Sequence, residues 1–389
     1  FTCTIFLHAS EVTLNEILQK VENEHPMSKS IEAYKNAYTS QNRALLSNEA
    51  VILSIESAYA KPNIDKSKYE YAVGIEQNIV NPVVKRSMAK SASYINEAEV
   101  LEQKENFLIL KNSISFLYHE NCLDIKDEEE YKKSLLAFEE LYKKKAKAYK
   151  YAEISKKELL QLQIELKRQK NEYKRYLNRV KISRENLESK TILPFLKEKT
   201  LSCMDIKPIT KDFSFEKMKD SLYEQSLNKK IQSTQSDFER YDSLFDSFTL
   251  SASYQNEIDT DRFTFGLSIP LNFTSSYNEQ SQAASLYKKS ALEYEKEEFV
   301  LKKASDIKLL RQELIQSFED IELSLSMLKQ YEDELLPLVE RGYRLGEDSA
   351  IEYLLTRREL LNLNKELTKQ RKEYYKTLFE LYRVTQIKD

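Results

Sequence analysis

Residues 247–271 read SFTLSASYQNEIDTDRFTFGLSIPL, and the pattern repeats every second residue. Phe248, Leu250, Ala252 and Tyr254 alternate with Thr249, Ser251, Ser253 and Gln255. After a polar turn, Phe263, Phe265, Leu267, Ile269 and Leu271 alternate with Thr264, Gly266 and Ser268. Successive side chains of a strand point to opposite faces, so this stretch predicts a β-hairpin with one apolar and one polar face. A rougher copy lies upstream. Leu53, Ile55 and Tyr59 alternate with Ser54, Glu56 and Ala58, and Tyr69, Tyr71, Val73 and Ile75 with Glu70, Ala72, Gly74 and Glu76.

Around the two hairpins the texture is helical. Spaced apolar residues on a polar background run over Leu14 to Asn48, Val83 to Tyr118, 128–189, 214–245, 276–344 and 350–386. Ile307, Leu310, Leu314, Phe318, Ile321, Leu325 and Leu328 step by three or four, the spacing of a coiled-coil seam. Leu159, Leu162, Leu166, Tyr173, Tyr176 and Val180 continue it in another helix, with Gln169 at the skipped position. The acidic stretch Asp124 to Glu130 leaves the continuity of the first long helix open. Charged residues make up 32% of the 389-residue chain against 41% hydrophobic, the balance of long, partly solvated helices with narrow stripes.

Composition excludes several classes. Only 4 Gly and 7 Pro serve the whole chain, too few for the turns and phosphate loops of a Rossmann or P-loop enzyme. A net charge of −3 gives no reason to expect nucleic acid. No run of eighteen apolar residues suggests a membrane helix. Cys3, Cys122 and Cys203 form no CxxC pair, and His8, His25 and His119 sit near no second ligand, so all six are read as structural or incidental. No nucleophile set, acid–base pair or metal cluster supports an enzyme or a cofactor. Phe1 to Ala9 are apolar and read as the remnant of a secretory signal, with a buried N-terminal strand as the other reading.

The chain also repeats itself. Tyr71-x-Val73-Gly74-Ile75 matches Phe263-x-Phe265-Gly266-Leu267 at an offset of 192 (71 to 263), and Tyr149 to Leu160 matches Tyr343 to Leu354 at 194 (149 to 343). Two matches of different type in one register indicate a tandem duplication, far longer than a solenoid repeat. Repeat 1 spans 10–200, with its hairpin at 51–79 and a tight turn at 150–156. Repeat 2 spans 201–389, with its hairpin at 247–272 and a turn at 344–350. Pro194 and Pro208 interrupt the helical pattern between them.

A two-stranded ribbon with bulky residues on one face is marginal alone and exposes both edges. The helices have narrow stripes matched to one another, whereas lipid covers an apolar face if the strands close into a barrel. Four strands per chain are fewer than the eight of the smallest membrane barrels, so the barrel is shared between chains. The polar face, with Glu56, Glu70, Glu76, Thr249, Ser251, Ser253 and Ser268, then lines water.

On these residues the chain resembles the TolC-type outer-membrane factors, the exit ducts of tripartite efflux pumps and type I secretion systems. Phe265-Gly266-Leu267-Ser268-Ile269-Pro270-Leu271 is similar to the family's strand-to-helix junction. Tyr343-Arg344-Leu345-Gly346-Glu347-x-Ser349, followed by Glu352-Tyr353-Leu354, is similar to its helix-turn-helix tip. The resemblance covers Thr13 to Gln386. Departures are the short chain, a weak match at Asn78-Ile79-Val80-Asn81-Pro82, the acidic stretch at 124–130, and Asp348 where a basic latch residue is common. The resemblance implies a mainly α fold with four transmembrane β-strands. Three identical chains would share a twelve-stranded barrel, continuous with a long coiled-coil helical barrel. It implies a place in the cell outer membrane reaching into the periplasm, against outer-membrane lipid, with a periplasmic adaptor and an inner-membrane transporter as partners. The function implied is a passive exit duct of a tripartite efflux pump; an exit duct for type I protein secretion is the alternative, and a soluble coiled-coil scaffold the rival class.

By the same resemblance Tyr151, Ala152, Glu153, Ser155, Leu345, Gly346, Glu347 and Ser349 form the adaptor-contacting tips, and Glu158, Tyr343 and Glu352 the gate. Local chemistry offers a second reading. Gly346 suits a left-handed turn, Ser349 a helix cap, and Glu158 and Glu352 the first turn of a helix, where the dipole favours a carboxylate. Tyr343 precedes Glu352 across the turn, so its hydroxyl is in reach of Glu158 of the neighbouring hairpin. The lysine run Lys143, Lys144, Lys145, Lys147 and Lys150 reads as a solvated helix face or an adaptor or lipid-facing patch.

Overall fold

The computed structural model describes residues 11–61, 68–212, 220–257 and 259–386; the expected signal remnant lies outside them. In chain order the elements are β1 (Glu11–Val12), α1 (Leu14–Glu24), α2 (Pro26–Leu46), β2 (Ile52–Ala60), β3 (Lys68–Val80), α3 (Pro82–Lys150) and α4 (Lys156–Thr191). There follow a 3-10 turn (Pro194–Glu198), β4 (Thr200–Leu201), α5 (Leu222–Arg240), β5 (Ser247–Asn256), β6 (Asp261–Ser268), a 3-10 turn (Asn272–Thr274) and α6 (Tyr277–Gln330). A π-helical turn (Tyr331–Leu335), α7 (Leu336–Leu345) and α8 (Ala350–Thr385) complete the chain. Among the described residues no helix is long and apolar enough to cross a membrane. The elements divide into two compact units, one from residues 1–29, 106–219 and 303–389, the other from 30–105 and 220–302.

The second unit carries the sheet. β2, β3, β5 and β6 pair in that order, antiparallel throughout. Register puts Leu53 opposite Ile75, Ile75 opposite Ala252 and Ala252 opposite Phe265, and in the neighbouring row Ile55, Val73, Tyr254 and Phe263. All four apolar faces therefore coincide. On the other face Ser54, Gly74, Ser253 and Thr264 form one row. The glycines there answer to crowding: a Cβ on Gly74 would lie 2.7 Å from Ser54 Oγ, and one on Gly266 2.4 Å from Ser251 Oγ. Both strand-to-helix junctions tie to residues 243–246. The Asn81 side-chain amide donates to Ser243 Oγ and the Phe245 carbonyl, both at 2.9 Å, and that of Asn272 to the Ser243 carbonyl at 2.9 Å and Asp246 Oδ1 at 3.0 Å.

Next to the sheet, α5 packs through small polar residues. Ser226, Ser233, Thr234 and Ser236 are buried on it and Ser87 and Ser91 on α3, with Ser91 and Ser233 hydroxyls 2.8 Å apart. Buried apolar residues in this unit are few: Val84, Ala98 and Leu227 among those described. The apolar face of the sheet is largely exposed instead, from Leu53 and Ile55 on β2 to Phe263, Phe265 and Leu267 on β6.

The first unit is built differently, around three apolar clusters. Thr13 opens α1 with a capping box, its hydroxyl accepting from Glu16 N while Glu16 reaches back to Thr13 N. Ile17 and Val21 of that helix meet Ile114, Tyr118 and Cys122 of α3 and Leu187 of α4. The seam residues Ile307, Leu314 and Ile321 of α6 meet Leu367, Tyr374 and Leu378 of α8.

α3 runs unbroken through the acidic stretch, where Asp124 and Asp127 turn inward to cations of neighbouring helices while Glu129 and Glu130 stay exposed. Lys372 Nζ of α8 sits 2.8 Å from Asp124 Oδ1 and 3.3 Å from Glu120, and Arg179 of α4 lies 3.6 Å from Asp127. Burial pushes the Asp127 carboxyl up to about 6, against the lowering effects of a 2.5 Å hydrogen bond from Thr368 and of Arg179. The 276–344 stretch changes character near its end. Pro337 has no N–H to continue the helical ladder, and the chain accommodates it with the π turn before α7.

Residues 199–212 form an extended strap with β4 as its one short strand, parallel to β1. Side chains from α3, α4 and α8 hold it. Arg184 donates to the Leu196 and Lys199 carbonyls, His119 Nε2 accepts from Lys207 N at 3.0 Å, and Tyr375 donates to the Lys207 carbonyl at 2.5 Å. Tyr374 donates to the Thr210 carbonyl at 2.9 Å and accepts from Thr210 N at 3.0 Å. Cys122 and Cys203 form a disulfide across 81 residues of sequence, so these two cysteines are partners rather than incidental. Loop-closure entropy alone makes such a bridge worth about 4.5 kcal/mol.

Candidate functional site

The turns at 150–156 and 346–349 both belong to the first unit. Ala152 (φ +60°) and Gly346 (φ +81°) occupy equivalent left-handed positions. Beyond each turn a serine caps the next helix: Ser155 Oγ accepts from Glu158 N at 3.1 Å, and Ser349 Oγ from Glu352 N at 3.2 Å. Gly342 is pinned by its neighbour, since a Cβ there would meet Asp348 Oδ2 at 2.0 Å, and its carbonyl accepts from Glu347 N and Asp348 N. All eight tip residues are exposed, with Tyr151 at 78% and Leu345 at 62%.

Behind the tips lies a polar cluster on an apolar floor. Tyr343 is buried against Phe138, Leu162, Val339, Ala350 and Tyr353, and its ring stacks on Tyr353 with centroids 5.1 Å apart. Its hydroxyl donates to Glu158 Oε1 at 2.6 Å. Lys145 completes the group, its Nζ 3.7 Å from Glu158 Oε1 and 3.9 Å from the centre of the Tyr343 ring. Burial, then the hydrogen bond to Glu158 and its charge, hold the tyrosine hydroxyl far above its ordinary range, so it remains a donor at every physiological pH. Tyr353 is anchored in turn by Arg357, which donates to its hydroxyl at 2.9 Å and to Ser134 Oγ at 2.9 Å.

Of the three gate candidates the structure joins two. Glu158 and Tyr343 bond within one chain, whereas Glu352 is exposed and its carboxylate makes no hydrogen bond or ion pair among the described residues. Sequence reasoning missed Lys145 as their third member, treating it as one of a lysine run. Its i, i+4 neighbours give no hint, because the contact crosses the turn.

In the second unit, Glu56, Glu70, Glu76, Ser251 and Ser268 all fall on the polar face of the sheet. Glu76 stands opposite Ser251 between β3 and β5, Glu56 opposite Ala72, Glu70 opposite Ala58, and Ser268 opposite Thr249. The paired faces differ sharply in chemistry. Carboxylates and hydroxyls occupy one, while Phe265 on the other is 85% exposed.

No protein-family model matches the sequence, and none of the curated proteins does. Solved structures do. A membrane protein from Pseudomonas aeruginosa superposes with a TM-score of 0.80 at 11% identity, over 96% of this chain and 92% of that one. The Campylobacter jejuni CmeC outer membrane channel gives 0.77 at 14%, over 97% and 87%. The outer membrane protein VceC from Vibrio cholerae gives 0.74 at 14%, over 96% and 95%. At these identities the similarity is one of architecture, and on it the chain has the fold of the TolC-type outer-membrane factors.

Proposed function

We propose that three copies of the chain form a passive exit duct in the outer membrane, serving a tripartite efflux pump. One observation carries this reading: a four-stranded antiparallel sheet with two open edges, one face apolar at most positions and largely exposed, and a polar opposite face. Strand direction alternates across the sheet, so β6 of one copy meets β2 of the next antiparallel and the ring closes with no unpaired edge. Two copies would make an eight-stranded barrel, whose interior side chains fill; three are the fewest that leave a lumen. On β3 the apolar face extends from Tyr69 to Ile79, broken only by Gln77. At about 3.3 Å per residue and a tilt of about 45° that span is roughly 23 Å deep, close to the apolar band of outer-membrane barrels.

In this reading each half of the duplicated chain supplies one hairpin to the barrel and one helical turn to the periplasmic end. Glu56, Glu70, Glu76, Ser251 and Ser268 line the water-filled lumen. The exposed residues at 151–155 and 345–349 meet the adaptor, with Tyr151 and Leu345 as its apolar contacts. The bond from Tyr343 to Glu158 tethers α7 to α4 and holds the end narrow; releasing it lets the hairpins part. Glu352, exposed, supplies its charge to the constriction. CmeC is itself an outer membrane channel, which agrees with transport rather than catalysis. Fractionation tests the reading: the duct resists salt washing of envelopes and is released by detergent, whereas release by salt alone would refute it.

A further inference from the structure

We infer that the Cys122–Cys203 bridge is installed by ordered disulfide exchange, with Cys203 as the thiol that meets the oxidant and Cys122 as the one that resolves it. The oxidant is of the class of proteins that carry a reactive disulfide, and the exchange requires an oxidising compartment, whatever the assembled chain conducts. The two sulfurs sit in unlike surroundings. Cys122 is 1% exposed on α3, walled by Ile114, Tyr118, Leu187 and Leu196, and a macromolecular oxidant has no route to it. Cys203 is half-buried on the strap, beside Met204 at 83% exposure. Reactivity in exchange follows access as well as thiolate character, so the strap sulfur reacts first.

The strap holds Cys203 in place for the second step. Cys203 has φ +48°, in the left-handed region that a residue with a Cβ adopts only when its surroundings impose it. Those surroundings are contacts on both sides: Ser202 N donates to the Val12 carbonyl at 3.0 Å, and Leu14 N to Asp205 Oδ2 at 3.1 Å. Downstream, His119 and Tyr375 grip Lys207. These hydrogen bonds fix the strap against β1, α1, α3 and α8, with Cys203 over Cys122.

The chemistry balances. The Cys203 thiol loses its proton and the thiolate attacks one sulfur of the oxidant's disulfide; that bond breaks, a mixed disulfide forms, and one oxidant thiolate leaves. Cys122, deprotonated in turn, attacks Cys203 Sγ, breaks the mixed disulfide and releases the second oxidant thiol. Two protein thiols are oxidised, and one disulfide is reduced to two thiols.

The test uses the full chain in detergent with oxidised glutathione as the probe. Peptide mass spectrometry of the untreated protein should find Cys122 linked to Cys203. After reduction and desalting, Cys203 in the Cys122→Ser variant should take up glutathione about tenfold faster or more than Cys122 in the Cys203→Ser variant. The reduced wild-type chain, which has no substitution to disturb it, should pass through an adduct on Cys203. Absence of the linked peptide, equal rates in the two variants, or a first adduct on Cys122 would overturn the inference.

Discussion

An arginine placed on either face of β6 separates a lipid-facing surface from a water-facing one. Phe265 lies in the row Leu53, Ile75, Ala252 and Phe265, midway along the apolar face, and Thr264, its chain neighbour, lies in the row of Ser54, Gly74 and Ser253 on the polar face. At the bilayer midplane an arginine facing lipid costs about 2–4 kcal/mol, which is roughly a 30- to 900-fold loss in the folded fraction per copy. Three copies in one barrel multiply the penalty to roughly 6–12 kcal/mol per assembly. Phe265→Arg should therefore abolish membrane assembly. Thr264→Arg, with its guanidinium in water, should cost about 1 kcal/mol or less, since substitutions in a lumen are tolerated. Denaturant titration of protein folded into lipid vesicles, read by the shift between compact and unfolded gel mobility, gives both values. Equal losses, or a larger loss from Thr264→Arg, would show that the phenylalanine face does not meet lipid.

The remaining expectations concern the first unit. Tyr343→Phe removes a hydrogen bond to a charged acceptor, worth about 1.5–3 kcal/mol, and should raise the open fraction in planar-bilayer conductance; unchanged conductance would place the gate elsewhere. Glu352→Gln, which leaves that bond in place, should weaken cation selectivity and multivalent-cation block without changing the open fraction. Asp127 has a folded-state pKa of about 6 against 3.8 for a free side chain, so the folded protein binds the extra proton. The contribution of Asp127 to stability should rise as pH falls through 6 and level off near 4, read as the difference between thermal melts of the wild type and of Asp127→Asn, which keeps the Thr368 bond; a difference that does not change with pH would refute it. Ala152→Gly should stabilise the first turn by roughly 1 kcal/mol, because glycine relieves the left-handed strain that Gly346 already avoids in the second.

How far these features could be read in advance depends on the distance over which their causes act. Period-two alternation is local, and the sheet's two faces follow it residue by residue. Seam residues such as Ile307, Leu314 and Ile321 are local too, in the three-and-four spacing of a helix. The pairing of β3 with β5 is not, because nothing in either hairpin names its neighbour. In sequence the acidic stretch at 124–130 leaves the continuity of the first long helix open, because the partners of Asp124 and Asp127, Lys372 and Arg179, come from other helices. The disulfide was hidden for a similar reason: a spacing of 81 residues carries no signature until the strap is laid along α3. At the tips, sequence matching singled out Glu158 and Tyr343 together with Glu352. Only side-chain geometry distinguishes the bonded pair from the exposed carboxylate and adds Lys145 to it.

Closure of the sheet between copies is the claim on which the duct depends, and the mass of the detergent-extracted assembly measures it directly. Native mass spectrometry after gentle release from the envelope should give one species of three chains, each of 45.8 kDa apart from any processing. A cysteine pair placed on β2 and β6 should cross-link between chains, never within one. A stable one-chain or two-chain species carrying the folded sheet would contradict the shared barrel and, with it, the exit duct.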